Sequence, residues 1–188
     1  MSFLEFYNLI LNTSVTSYDA LPYPVTNIKF KKGEVITSPG KVEDVVYFIN
    51  EGIVELTIKS YMSEKVIDFF FDQEMVASLS SFLTQLPSKV EVLALTDCTM
   101  EMITYKDLMK AYGHSPDANK LGRILVEQAY IRKAKREQDF LAKTAEERYI
   151  EMFETKAQYI SKIPVNKIAK YLGIHPESLS RIRKKLNS

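Results

Sequence analysis

One cysteine, two histidines and no tryptophan among 188 residues close off several chemistries before any pattern is read. A lone Cys98 cannot form an intrachain disulfide, a Cys-rich zinc site or an iron–sulfur cluster, and it reads as a small buried thiol. His114 and His175 are too few and too far apart for the clustered histidines of a cupin-like metal enzyme, and no nucleophile–base pair stands out. The expectation is a protein that is not an enzyme, with no catalytic residue, no metal and no cofactor. No apolar run approaches the ~18 residues of a membrane-spanning helix, and Phe69-Phe70-Phe71 is far too short. Met1-Ser2-Phe3-Leu4-Glu5 lacks the basic and apolar stretches of a secretion signal, so a cytoplasmic location away from membranes is expected.

What is present fits a folded chain of one large or two small domains, since 46% of the residues are apolar and 26% charged. The net charge is only +1, but it is unevenly spread. Residues 155–188 hold Lys156, Lys162, Lys167, Lys170, Arg181, Arg183, Lys184 and Lys185 against the single acid Glu177. The rest of the chain is acidic on balance. One end is thus suited to a polyanion and the body is not.

Three regions follow from the hydrophobic spacing. Phe3, Phe6, Tyr7 and Ile10 recur at helical intervals before Pro22 and Pro24, which predicts a short N-terminal helix. Residues 24–105 hold short apolar runs at 28–30, 45–49, 53–58, 66–71 and 90–95, broken by turn residues at 32–34, 38–40, 50–52 and 86–88. That pattern predicts an antiparallel barrel or sandwich, with Asn50-Glu51-Gly52 as a tight hairpin turn. Beyond residue 106 the period becomes helical. Leu121, Ile124, Leu125, Gln128, Ile131, Ala134, Gln138 and Leu141 form one stripe, which either joins two copies of the chain or packs on its own barrel.

The segment 163–186 is the most informative. Pro164 suits the start of a helix whose inner face is Ile168, Ala169 and Leu172. Gly173 can take the positive φ that ends it, and Pro176 with Glu177 suits the first turn of a second helix, although His175 is a poor cap. Leu179, Ile182 and Leu186 then face inward, leaving Glu177, Ser178, Arg181 and Lys185 outward with Lys184 beside them. A helix, a glycine turn and a second helix make a helix-turn-helix, in which such side chains can read bases and hold phosphates.

These residues, Ile168-Ala169 through Leu172-Gly173-Ile174 to Pro176-Glu177-Ser178-Leu179-Ser180-Arg181-Ile182-Arg183, resemble the helix-turn-helix of the CRP/FNR superfamily of bacterial transcription regulators. Gly33, Ile36, Gly40, Tyr47, Ile49, Gly52 and Val54 resemble the spacing of that family's cyclic-nucleotide-binding β-roll. The resemblance implies an α+β fold: an antiparallel β-roll (a double-stranded β-helix) over residues 1–115, a dimerisation helix over 116–140 and a DNA-binding domain over 141–188. It places Glu177 and Arg181 at base-contacting positions and His175 and Ser178 at backbone contacts; Lys184 and Lys185, basic residues further along the helix, are the candidate phosphate contacts. The partners it implies are double-stranded DNA, a second copy of the chain and RNA polymerase.

The sequence also departs from that family. Members that bind cyclic AMP grip its phosphate with a Gly-Glu-Leu turn and, ten residues after that Glu, an Arg. The matching places here are Ala77-Ser78-Leu79 and Ser88-Lys89-Val90. Ser78, Ser88 and Lys89 are therefore the candidate ligand-binding residues, and the expectation is another small ligand or a barrel that is only a scaffold. Only Asn187 and Ser188 follow Leu186, so the β-hairpin wing common in the family is expected to be missing.

Overall fold

The protein is described by a computed structural model over residues 1–59 and 63–186. Helix α1 (Phe3–Leu11) opens with a capping box: the Ser2 hydroxyl accepts from the Glu5 amide and the Glu5 carboxylate accepts from the Ser2 amide. Its inner face carries Phe3 and Phe6, whose rings lie 5.7 and 5.0 Å from that of Phe48. The Phe3 amide donates to the buried Glu101 carboxylate at 2.7 Å, which pins the helix to the barrel.

Among the described residues the chain forms eight strands: β1 (Thr26–Phe30), β2 (Val35–Thr37), β3 (Val45–Glu51), β4 (Val54–Lys59), β5 (Glu64–Phe70), β6 (Met75–Val76), β7 (Glu91–Ala94) and β8 (Cys98–Thr104). They make two antiparallel four-stranded sheets, in the orders β1-β8-β3-β6 and β2-β7-β4-β5. Ile49 and Met100 of one sheet and Val54, Val92 and Ala94 of the other fill a single apolar cluster between them. Sequence spacing located β1, β3, β4, β5 and β7 but not β2, β6 or β8, and it misread one connection. Asn50-Glu51-Gly52 is not a hairpin turn, because β3 pairs with β8 and β6 whereas β4 pairs with β5 and β7. The chain changes sheets there. Gly52 has φ +128°, and a Cβ on it would lie 2.5 Å from Cys98 Sγ, so only glycine turns this corner. A short helix absent from the expected pattern, α2 (Leu79–Thr84), bridges β6 and β7.

Among the described residues five longer helices follow. Thr104 caps α3 (Tyr105–Tyr112), and Ser115 with Pro116 starts α4 (Pro116–Ala142). The stripe along α4 divides. Ala118 and Leu121 are buried with α1, and Ile124 and Leu125 are half-buried beside them. Further on, Tyr130, Ile131 and Leu141 are 72%, 64% and 85% exposed. Midway, Arg132 docks the helix on β5: it donates to Asp68 at 2.7 Å, to Glu74 at 3.0 Å and to the Phe69 carbonyl at 2.5 Å.

Thr144 and Glu147 form the capping box of α5 (Ala145–Ile160), which kinks at Lys156. Then come α6 (Val165–Leu172) and α7 (Pro176–Leu186). Tyr149, Ile160, Ile163, Ile168, Leu172 and Leu179 from these helices share one buried cluster with Val66, Phe69 and Phe71 of the barrel wall. The C-terminal helices are therefore packed on the barrel through a continuous apolar core.

Candidate nucleic-acid interface

The α6–α7 unit is shaped by one glycine. Gly173 takes φ +71°, and its amide and that of Ile174 both donate to the Ala169 carbonyl, which closes α6 with a left-handed cap. Ile168, Ala169 and Leu172 on one side and Leu179 on the other are buried, so the two helices are held at a fixed angle by a small apolar seam. Ala169 permits the close approach.

The seam orients α7. Glu177 and Arg181 lie one turn apart on its outer face, and both are exposed. His175 and Lys184 are exposed as well, and Ser178 is half-buried. Arg183, Lys184 and Lys185 crowd the last turn, where cations complement the helix dipole. Lys185 donates to Glu146 at 2.7 Å, so part of its charge is already spent within the chain. The six side chains expected at this interface thus fall on one helix and its approach, with Ser178 the least accessible.

The first helix of the unit is occupied differently. Lys167 of α6 donates to Glu55 of β4 at 2.5 Å and to Glu64 of β5 at 2.9 Å, and Lys170 donates to Glu64 at 3.1 Å. Burial pushes the Glu55 carboxyl above its ordinary pKa, against the pull of Lys167. The hydrogen bond from Lys167 instead holds Glu64 below its ordinary value. Burial lowers the Lys167 ammonium, but the two carboxylates outweigh it and leave its pKa raised. Sequence reading counted Lys167 and Lys170 as free basic charge; their i, i+3 spacing, which puts both on one face, was the available signal.

The candidate ligand residues of the barrel are brought together only in part. Ser78, just before α2, and Ser88 are both buried, and their hydroxyls bond to each other at 2.8 Å. The Ser88 hydroxyl also donates to the Val90 carbonyl at 2.7 Å. Lys89 is exposed and stands apart from the pair. The neighbouring amide is taken as well, since Ser78 N donates to the buried Glu43 carboxylate at 3.2 Å. Glu43 accepts further from the Thr37 hydroxyl at 2.5 Å, and burial raises its pKa. The Ser78 amide is thus taken by a carboxylate of the chain itself, and the two hydroxyls by each other and by the Val90 carbonyl.

Neither histidine nor Cys98 adds a reactive centre. His114 is exposed, with Nδ1 2.8 Å from the Lys110 carbonyl. The Cys98 thiol is buried, and burial pushes its pKa up. Among the described residues no group of three or more His, Cys, Asp and Glu could hold a metal ion, and no helix is long and apolar enough to cross a membrane.

Comparison with known proteins fits this architecture. Residues 27–115 match the cyclic nucleotide-binding domain family. No curated protein matches the chain. FixK2 from Bradyrhizobium japonicum is 18% identical, over 87% of this chain and 84% of that one, with a TM-score of 0.72. A putative transcriptional regulator of the crp/fnr family from Eubacterium rectale is 17% identical, over 87% and 78%, at 0.70. The c-di-GMP responsive global regulator CLP from Xanthomonas campestris is 18% identical, over 87% and 86%, at 0.66. At such identities the likeness is one of fold. Residues 27–115 thus resemble a cyclic nucleotide-binding domain, within a fold that the chain shares with FixK2, CLP and the putative regulator of the crp/fnr family.

Proposed function

We propose that the protein is a homodimeric, sequence-specific DNA-binding transcription regulator. Residues 1–115 form its barrel domain, residues 116–140 its dimer helix and residues 141–188 its helix-turn-helix domain. The observation that carries this reading is the exposed face of α7, where Glu177 and Arg181 stand one turn apart ahead of Arg183, Lys184 and Lys185. An Arg can grip guanine through O6 and N7, a Glu can accept from cytosine N4, and the basic last turn meets phosphates. Exposed Tyr130, Ile131 and Leu141 give α4 an apolar strip for a second copy. RNA polymerase is a further partner that the fold relationship supports.

In a two-fold dimer the two α7 helices enter successive major grooves, about 34–36 Å apart. Selection from a pool of random duplex DNA tests this. A palindromic motif with half-sites about one helical turn apart is the expected result. Motif-free binding that merely weakens with salt would overturn the sequence-specific reading.

The Ser78–Ser88 pair and the Glu43 carboxylate favour a second statement about the barrel: it does not respond to cyclic AMP. Arg, the phosphate's usual counter-ion, is missing there, and a carboxylate sits on the amide a phosphate would need. An unchanged melting temperature with saturating cyclic AMP is the expected outcome.

A further inference from the structure

A cavity of about 260 Å³ lies where the barrel meets the C-terminal helices. Its walls come from β5, α4, α5 and α6, and it is apart from both α7 and the Ser78–Ser88 pair. Most of the charge around it is neutralised. Asp68 is taken by Arg132, while Asp139 and Glu151 are taken by Lys135 and Lys143. Lys156 is paired with Glu74.

Two guanidinium groups on the wall are different. Among the described residues Arg136 has no carboxylate partner; its Nη2 donates to the carbonyls of Tyr171 at 3.1 Å and Val66 at 3.4 Å. Arg148 has none either, donating to the carbonyls of Lys143 at 2.6 Å, Leu172 at 2.9 Å and Phe140 at 3.5 Å. The Nε of Arg148 is buried with no hydrogen-bond partner. A guanidinium has five donors, so both of these lining residues retain donors that those carbonyls do not take up. Carbonyls at the end of a helix supply partial negative charge but no full counter-ion. Apart from Thr155, the rest of the lining is apolar and aromatic: Phe69, Phe71, Met152 and Leu172, with the Tyr171 ring 3.9 Å from the Arg136 guanidinium carbon.

We propose that this cavity binds a small organic phosphate with one apolar or aromatic ring. Guanidinium pairs match the oxygens of a phosphate group, and the two unbalanced positive charges call for a dianion. The aromatic lining fits a ring. The volume falls just below the range of about 300–1,000 Å³ usual for ligand pockets, which limits the ligand to single-ring size. Such a ligand touches the barrel, α4, α5 and α6 at once, so its binding energy adds to the docking of the C-terminal helices. The inference is independent of DNA binding, because it is read on the protein alone.

Calorimetry and thermal unfolding of the full chain at constant ionic strength test it, with phenyl phosphate, inorganic phosphate and phenol as probes. Phenyl phosphate is expected to bind more tightly than either of the others and to raise the melting temperature. Arg136→Gln and Arg148→Gln are each expected to weaken it about tenfold or more. Lys29→Gln, exposed on β1 and outside the cavity, should leave binding unchanged. Because Arg148 also holds carbonyls together, Met152→Glu serves as a second variant: it adds a repelling carboxylate to the wall without removing those bonds, and should abolish binding in a protein that still unfolds cooperatively. Three results would overturn the proposal: no binding of phenyl phosphate at about 10 mM, affinity no better than that of inorganic phosphate, or equal affinity in the wild type and all the cavity variants.

Discussion

Lys167 of α6 and Glu55 of β4 are 112 residues apart in sequence, yet the ammonium lies 2.5 Å from a carboxylate oxygen of a side chain only 1% exposed. Among the described residues the other oxygen of Glu55 is buried without a hydrogen bond. Lys167 is therefore the principal reason that a charge can exist at this depth, and Glu64, which Lys167 and Lys170 share, extends the bridge outward. The pair ties the module proposed to read DNA to the wall of the barrel.

Removing the lysine leaves an uncompensated buried carboxylate. Lys167→Ala is expected to cost about 3 kcal/mol of stability near neutral pH. The loss shrinks in acid, where Glu55, whose pKa is raised by burial, takes up a proton. Urea unfolding over a pH series checks both statements. A pH-independent loss would show that Glu55 is already neutral in the folded protein.

Glu64 has the opposite sign. Its folded pKa is lowered by the hydrogen bond from Lys167, so its contribution is complete above the ordinary carboxylate range and is lost as pH falls through the folded value. Glu64→Gln should therefore be less stable than the wild type near neutral pH and converge with it in acid, as read from melting temperatures.

Gly52→Ala is expected to destabilise the barrel by about 1–3 kcal/mol. Its Cβ would meet Cys98 Sγ and the Asp97 carbonyl, and φ +128° is strained for any side chain. Gly33→Ala is the contrast: φ is +88°, but nothing lies within 4 Å of the added Cβ, so strain alone acts. Chemical denaturation of the two variants separates crowding from backbone strain.

For the DNA reading, Arg181→Ala should cost about 1–3 kcal/mol on a selected site and relax preference at one position. Lys184→Ala should weaken all sequences alike and lower the salt slope by about one. Equal losses on selected and random duplexes for Arg181→Ala would remove its base-reading role. Both are fluorescence-anisotropy titrations.

Ile131→Asp tests the dimer helix. The side chain is exposed in a single chain, so the variant should still unfold cooperatively and is expected to sediment as a monomer, whereas the wild type is expected to sediment as a dimer.

Much of this architecture was legible because it is written in local spacing. The runs at 45–49 and 53–58 became β3 and β4, and Gly173 carries the positive φ that its place between two helical patterns requires. What spacing does not encode is which strand meets which. Asn50-Glu51-Gly52 has the composition of a hairpin turn, and it is none because β3 takes its partner from β8, a strand that begins 46 residues after Gly52. Glu55 reads as a solvent-facing acid in a strand until α6 covers it. Arg136 and Arg148 look like ordinary charges of amphipathic helices; their lack of counter-ions is visible only once the helices are docked.

The placement of β8 has a consequence for the order of events in folding. This strand lies between β1 and β3, pairing Thr26 with Met102 on one edge and Val45 with Thr104 on the other. A growing chain therefore has no hydrogen-bonding neighbour for β1, and for β3 only the two-residue β6, until residue 104 has been made. Closure of that sheet is non-local and slow, with the early strands exposed meanwhile. The Phe3 amide awaits Glu101 on that same strand, so α1 gains this anchor only when β8 has been made.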